Sequence, residues 1–583
     1  MSDFAPAPAS GPVVPDRITQ EEDKGLERSL GFFSTLTIGM NSTAPAYSLA
    51  AVLAGIVVAV GLQAPASLIV SFIPMFLIAA SFYYMNRADP DCGTTFTWVS
   101  RALGPWPGWI AGWAVCMTGV LVIGSLADVA ALYTFGLFGL EGLADSVVAV
   151  TALAVLFIIF TTTLCVIGTE ISASFQTVLS ALQVGGLLLF AGVALYKAIS
   201  GDIPVDPVAI GSMDVALSNP TIELSWFLPW EIPSTTALTA GLLIGVFIYW
   251  GWESSLSLNE ESEDSNASGR AGITATVLLV LTYLFIATAL IAYAGPAVFA
   301  SANAQGIESR VFDDLAKPIL GSPLDKLVLI AVLTSALAST QTTILPGART
   351  SLSMAFHGAL PKAFGDVSPR FFTPVFSTIA IAVLAIGWYV PLNLFSQGSL
   401  YDSLQALSLL IAFYYAINGL ACFTFYRKEI LRPGIWIPLC MGLLAVGAAA
   451  LVVGGVTDYY DVAGPLPGLT WLGIGAIALL VITLFAGAKA FKPALFIGFA
   501  PLTGALLLGF VLVRSVLDLA NPGASESGAT WLGVTPALVM GVGFMLLGVI
   551  LMVVWRFLYP KPFFARHLET VAPDSAAKAP AAG

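Results

Sequence analysis

The residues that invite a chemical question are carboxylates and hydroxyls lying inside apolar runs. Glu253 sits in GVFIYWGWESSLSLNEESED, residues 245–264, directly after Tyr249-Trp250-Gly251-Trp252. Asp128 lies within the long apolar run 105–139. An ionisable group near the middle of a bilayer costs several kcal/mol, so a helix that merely spans lipid has no use for one. Gly251 weakens the same helix by roughly 1 kcal/mol relative to alanine. A costly group beside a weak point describes a broken helix lining a polar cavity. A second interruption stands in the first apolar run, where Asn41-Ser42-Thr43-Ala44-Pro45 places polar residues and a proline midway. Pro45 removes a backbone donor and clashes with the preceding turn, which frees carbonyls near Asn41. Two interrupted segments at corresponding positions of two halves point to a transporter binding site. There half-helix N-termini suit anionic groups and freed carbonyls suit cations.

The elements that must position these residues are membrane helices. The chain has 583 residues, 57% hydrophobic and 10% charged, against roughly 25% charged in a soluble globular protein. Apolar runs place fourteen spans: 30–60, 64–85, 105–139, 146–167, 172–197, 237–260, 271–298, 326–352, 373–391, 401–426, 434–456, 467–487, 494–517 and 535–557. The third is too long to cross upright and must tilt or project. Five of the 23 Lys+Arg (Lys197, Arg310, Lys317, Lys326 and Arg514) fall on the outer side if the N-terminus is inside, and the other 18 are cytoplasmic. That asymmetry orients both termini to the cytoplasm. Loop 198–236 carries Asp202, Asp206, Asp214, Glu223 and Glu231 and no basic residue, a solvated acidic loop with a weak attraction for cations. Residues 1–29 and 559–583 are composed as cytoplasmic tails.

Composition also excludes. Cys92, Cys116, Cys165, Cys422 and Cys440 are scattered, and His357 and His567 are the two histidines, so disulfide frameworks, zinc sites and histidine catalysis are disfavoured. No nucleophile–base pair marks a hydrolase, so an enzyme is not expected. No GxxxxGK[ST] motif points to ATP, no basic patch points to nucleic acid, and no cofactor is implied.

Residues 432–473 and 492–533 match at an offset of sixty: Arg432-Pro433 faces Lys492-Pro493, and Gly-Leu-Thr-Trp-Leu-Gly (468–473) faces Gly-Ala-Thr-Trp-Leu-Gly (528–533). A duplicated two-span hairpin, 432–558, extends a ten-span core, 30–431, and is read as scaffold or homo-oligomer surface.

Several strings together resemble the amino acid–polyamine–organocation (APC) permeases. Asp91-Cys-Gly-Thr-Thr-Phe-Thr-Trp98, Gly104-Pro105, Gly108-Trp109 and Gly112-Trp113 resemble that family's first cytoplasmic loop. Tyr249-Trp250-Gly251-Trp252-Glu253, then Glu260-Glu261 and Ser268-Gly269-Arg270, resemble its sixth span. Leu345-Pro-Gly-Ala-Arg349 through Gly358-Ala-Leu-Pro361 is similar to its eighth-span ending, with His357 where an acid usually stands.

The resemblance implies an all-α integral membrane fold of five-plus-five inverted repeats, discontinuous at spans one and six. It implies a multi-pass plasma-membrane carrier moving an amino acid, amine or polyamine by alternating access, coupled to a proton or sodium gradient or exchanging substrates. An inorganic-ion transporter on the same scaffold and a non-transporting amino acid sensor are the alternatives. Carried over, Asn41 and the amides of Ser42, Thr43 and Ala44 would meet a substrate carboxylate. Carbonyls and rings from Phe247 through Tyr249, Trp250 and Gly251 would receive its ammonium, and Trp252 would close over it from outside. Aromatic faces attract an ammonium by roughly 0.5–2 kcal/mol. Gln183 falls where proton-coupled members carry a lysine and supplies no charge. Ser339 and Thr340 lie where sodium-coupled relatives of the fold place hydroxyl ligands, though such hydroxyls also bond their own backbone. Glu253 is either a proton carrier or a tie for the broken helix. Asp128 either carries a proton, pairs with a substrate amine or faces water at the end of its span.

Overall fold

The computed structural model describes residues 26, 30–396, 399–431, 494–525, 527–559 and 562–565. The long helices in chain order are α1 (Phe32–Thr43), α2 (Pro45–Val60), α3 (Ala64–Ala88), α4 (Thr95–Leu103), α5 (Pro105–Leu137), α6 (Val147–Ile167) and α7 (Thr169–Ser200). After a two-stranded antiparallel hairpin, β1 (Val208–Ile210) and β2 (Met213–Val215), come α8 (Thr235–Ile248), a 3₁₀ segment Trp252–Leu258 and α9 (Ser265–Ala294). Then follow α10 (Pro296–Ala304), α11 (Val311–Leu320), α12 (Lys326–Phe356), α13 (Val375–Phe395), α14 (Ser399–Phe425), α15 (Ala500–Leu519) and α16 (Pro536–Leu558).

Eleven described stretches are long and apolar enough to cross a membrane, and Phe32–Ala88 alone holds 57 residues, enough for the first two predicted spans. They account for twelve of the fourteen predicted runs. The runs 434–456 and 467–487, the first copy of the C-terminal repeat and nearly all of both tails lie outside the described residues. The expected all-α membrane architecture is present, with the small hairpin as its one sheet among the described residues.

The helix breaks follow from local chemistry. The residue before a proline is pushed out of the α region, and Ala44 adopts φ 50°, ψ 63°, ending α1 and starting α2 with Pro45 at its first position. α8 ends at Ile248, and Gly251 takes φ 115°. α5 is the axis of the bundle: its 33 residues run about 50 Å at 1.5 Å each, and α12 lies along it. Close approach there requires small residues: a Cβ on Gly124 of α5 would lie 2.5 Å from Cβ of Tyr389 on α13. α15 and α16 pack on α14, and α15 also on α3 and α8. α4 follows Gly93, and Trp98 on it donates Nε1–H to the Asp89 carbonyl at 2.8 Å.

Loop 198–236 and segment 295–325 share one face: Gly211 N–H donates to Asp314 Oδ2 at 3.1 Å and Ser218 N–H to Ala294 O at 3.3 Å. Residues 89–104 form the opposite end. There Leu30, just before α1, exchanges backbone bonds with Glu261 and Glu263, each 3.1 Å, tying the start of the first span to the end of the sixth.

Candidate functional site

The two breaks touch. A Cβ built on Gly251 would sit 2.7 Å from Ser42 O and 3.0 Å from Thr43 N, and one on Gly39 3.0 Å from Trp252 O. Ser42 Oγ and Ser254 Oγ share a hydrogen bond of 2.7 Å across the same contact. The backbone groups released by the breaks are distributed differently from the expectation. The Asn41 carbonyl accepts Ala44 N–H at 3.1 Å, so it is not freed. Ser42 and Thr43 are helical, and their amides point back along α1. The donor end at the break is the first turn of α2, where Pro45 has no N–H and Tyr47 N–H already donates to Ser335 Oγ at 3.2 Å. The backbone donors nearest the break therefore belong to α2, and the amides of Ser42 and Thr43 belong to the helical ladder of α1. The carbonyls released at the end of α1 accept hydroxyls: Ser42 O from Ser339 at 2.8 Å and Thr43 O from Ser48 at 2.6 Å. At the end of α8, Ile248 O accepts from Tyr283 at 2.8 Å.

Glu253 is fully engaged. Gly251 N–H donates to its Oε2 at 3.1 Å, Tyr414 OH donates to Oε1 and Tyr415 OH to Oε2. Trp250 Nε1–H donates in turn to Tyr414 OH. The carboxylate thus spans its own chain break and fastens it to α14. Three donors around one buried acceptor offset the desolvation that would otherwise make it untenable.

Asn41, Gln183 and two further amides form a neutral chain between helices. Gln183 Nε2–H donates to Asn41 Oδ1. Asn41 Nδ2–H donates to Gln176 O at 2.7 Å and to Gln176 Oε1 at 2.6 Å. Gln176 Nε2–H donates to Gln341 Oε1 at 2.8 Å and Ala338 O at 3.0 Å. α1, α7 and α12 are joined at the level of the first break. Ser339 belongs to this junction, whereas Thr340 Oγ donates to its own helix at Ala336 O, 2.8 Å, the bland alternative for a membrane threonine.

Two further assignments are relocated. Asp128 is buried and accepts from Tyr389 OH and from Asn393 Nδ2–H at 3.0 Å, Asn393 also reaching Thr151 at 3.0 Å. It joins α5, α6 and α13 and lies among protein groups, not in water. Trp252 does not close the outer side. It follows the break, away from loop 198–236, with Phe82 at 5.2 Å and Tyr415 at 6.2 Å between ring centroids, and Phe82 in turn meets Trp98 of α4. The chain direction of α8 forces this: residues before Gly251 face loop 198–236 and residues after it face the opposite end. The aromatic on the loop side is Phe247, edge-on to Tyr47 at 6.4 Å, with Tyr47 OH bonded to Ser125 at 2.8 Å.

A cavity lies on each side of that barrier. Toward residues 89–104, a small cavity of about 10 Å³ is lined by Thr94, Thr95, Trp250, Glu253, Ser254 and Tyr414 among others. Toward loop 198–236, a cavity of about 50 Å³ is lined by residues of α2, α8 and α14 with Asn303 and Glu308. Sequence reasoning missed Tyr47, Ser125, Gln176, Gln341, Tyr414, Tyr415 and Glu308. The paired tyrosines inside an apolar run were the one visible signal.

The end near residues 89–104 is clasped by polar pairs. Arg349, fully buried, donates Nε–H at 2.9 Å and an Nη2 hydrogen at 3.3 Å to Glu261. Asp91 Oδ1 accepts from Gly93 N–H at 2.8 Å, Thr97 at 2.9 Å and Ser353 at 2.7 Å. Asp91, Cys92 and Glu260 bring three potential ligand atoms within 4.8 Å, but with Asp91 Oδ1 accepting three donors and Cys92 N–H bonded to Glu260 at 2.9 Å, the cluster reads as a clasp rather than a metal centre.

The chain is similar to several known proteins. MhsT in complex with L-phenylalanine aligns at 16% identity over 79% of this chain and all of that one, with a TM-score of 0.48. The low-affinity putrescine importer PlaP of Escherichia coli K12 is 24% identical over 502 residues, 81% of this chain and 92% of the relative. The γ-aminobutyric acid permease of the same organism is 24% identical over 416 residues, 70% and 77% of the two chains. The family model described as amino acid permease matches residues 30–486, a stretch that holds both helix breaks, the Glu253–tyrosine cluster and the Arg349–Glu261 clasp, and the chain belongs to that amino acid permease family of multi-pass membrane transporters.

Proposed function

We propose that the chain moves an amino acid or a related aliphatic amine across the plasma membrane by alternating access, with both termini in the cytoplasm. The observation that carries the reading is the contact of Gly251 with Ser42 and Thr43, two helix breaks meeting between two cavities. A substrate held there faces the donor end of α2 and the acceptor ends of α1 and α8, the arrangement that suits a zwitterion or an amine. Relatives named for putrescine and γ-aminobutyric acid support the amine class. Tyr47 and Phe247 form the barrier toward loop 198–236, and Glu253 with Tyr414 and Tyr415 supports the sixth span on the other side. Opening one cavity while the other stays closed exposes the break to each face in turn.

Transport is driven by a proton or sodium gradient or by exchange. The neutral Gln183–Asn41–Gln176–Gln341 chain puts no titratable charge from α7 at the level of the first break, which favours a carrier that exchanges or draws its coupling from another group. The test is uptake and counterflow of labelled amines and amino acids by purified protein in proteoliposomes, with and without imposed sodium and proton gradients. Counterflow of at least one such solute is expected. Stabilisation by a solute that is never transported would make the protein a sensor and refute the reading.

A further inference from the structure

The cavity on the side of loop 198–236 has a composition that the break alone does not explain. Its wall is apolar over one side, from Ala51, Val52 and Gly55 on α2, Ile244 on α8 and Leu404 on α14. The remainder is Phe247, Asn303, Glu308, Gln405 and Ser408, and among the described lining residues Glu308 is the only charged one. Its side chain is buried to 8% exposure, and Asn303 Nδ2–H fixes the carboxylate by donating to Oε1 at 2.8 Å. The neighbouring Arg310 turns away, ion-pairing with Asp145 at 3.3 Å. Tyr133 OH donates to Ser309 O and anchors the segment.

A carboxylate held by Asn303 and an aromatic ring in one lining, beside a wall of methyl and methylene groups, are complementary to one kind of ligand end: an ammonium on an aliphatic chain. The carboxylate supplies the counter-charge, and the Phe247 face adds cation–π attraction. The apolar wall takes up methylenes at about 0.8 kcal/mol each. An anion entering would meet Glu308 with no compensating cation in the lining. Seven residues separate Ala44 from Ala51, about 10 Å along α2, so a ligand with one polar end at the break and another in this cavity must be elongated. The acidic residues of loop 198–236 on the same face favour approach of a cation.

We propose that this cavity is the subsite for the distal ammonium of an aliphatic diamine or basic amino acid, with Glu308 as its counter-ion. The proposal rests on the transport reading above and narrows its substrate class.

The test is thermal stabilisation of the purified full chain, followed by counterflow in proteoliposomes. The probes are 1,4-diaminobutane, n-butylamine and L-alanine, for the native protein and Glu308→Gln. The native protein is expected to bind the diamine at least tenfold more tightly than the monoamine, and Glu308→Gln to lose that difference. The comparison within the native protein needs no variant and stands if the substitution impairs folding. Equal affinity for diamine and monoamine, or an unchanged preference in Glu308→Gln, overturns the subsite. Counterflow of L-alanine without response to the diamine also overturns it, while leaving the transport reading intact. Silence of every amine and amino acid in both assays overturns both.

Discussion

The carbonyl oxygen of Ser42 lies 2.7 Å from where a Cβ of Gly251 would be, so residues 209 positions apart in the sequence meet with no room for a methyl group. Gly251 also holds φ 115°, which an L side chain rarely adopts. The position is constrained twice over, by space against α1 and by backbone conformation at the end of α8.

Gly251→Ala is therefore expected to separate the two breaks. Uptake should fall at least tenfold, with melting in detergent lowered by an amount typical of strain at a special backbone position, about 1–3 kcal/mol. Uptake within twofold of the native protein would show that the contact is not needed for transport.

Glu253 accepts Gly251 N–H and both tyrosine hydroxyls. Glu253→Gln keeps one acceptor and replaces the other with a donor, stranding a buried hydroxyl or amide at about 1–3 kcal/mol. Gradient-driven uptake and exchange should fall together, with Tyr415→Phe showing a smaller loss of both. Loss of gradient-driven uptake with exchange intact would instead make Glu253 the proton carrier.

Arg349 and Glu261 are buried and doubly hydrogen-bonded. Removing either charge leaves the other uncompensated, at about 3–5 kcal/mol. Glu261→Met and Arg349→Met should each lower the melting temperature sharply, and the double variant Arg349→Met/Glu261→Met should recover part of the loss. A double variant whose loss equals the sum of the singles would show that the pair is not coupled.

Asp314 is half-buried on α11, and burial raises its carboxyl from 3.8 to about 6, with the Gly211 N–H bond opposing the shift. Asp313 beside it is also raised by burial. An acid raised in the folded state binds more protons folded than unfolded between about 4 and 6, so stability falls as pH rises through that window. Asp314→Asn should remove part of that fall: equal melting to the native protein near pH 4, and higher by up to about 1 kcal/mol at pH 7, a figure reduced for its solvent contact. A variant less stable than the native protein at pH 7 would show that the charged form is the favoured one.

The sequence by itself determined the medium and the interruptions. Apolar runs of membrane length, a proline after Ala44 and a glycine between Trp250 and Trp252 are local properties, and steric rules act on them wherever the chain is placed. Hence both breaks, and the twelve runs that fall among the described residues, were legible. What only the tertiary structure decided is which groups those breaks present and what answers them. The helical state of Ser42 and Thr43 moved the donor end to α2, and the direction of α8 sent Trp252 away from loop 198–236 and left Phe247 facing Tyr47. The partners of Glu253 lie some 160 residues downstream on α14, and those of Asp128 some 260 residues downstream on α13. A buried carboxylate is stable only with donors around it, but which helices bring them is fixed by packing, and packing is not written in any one stretch of the chain.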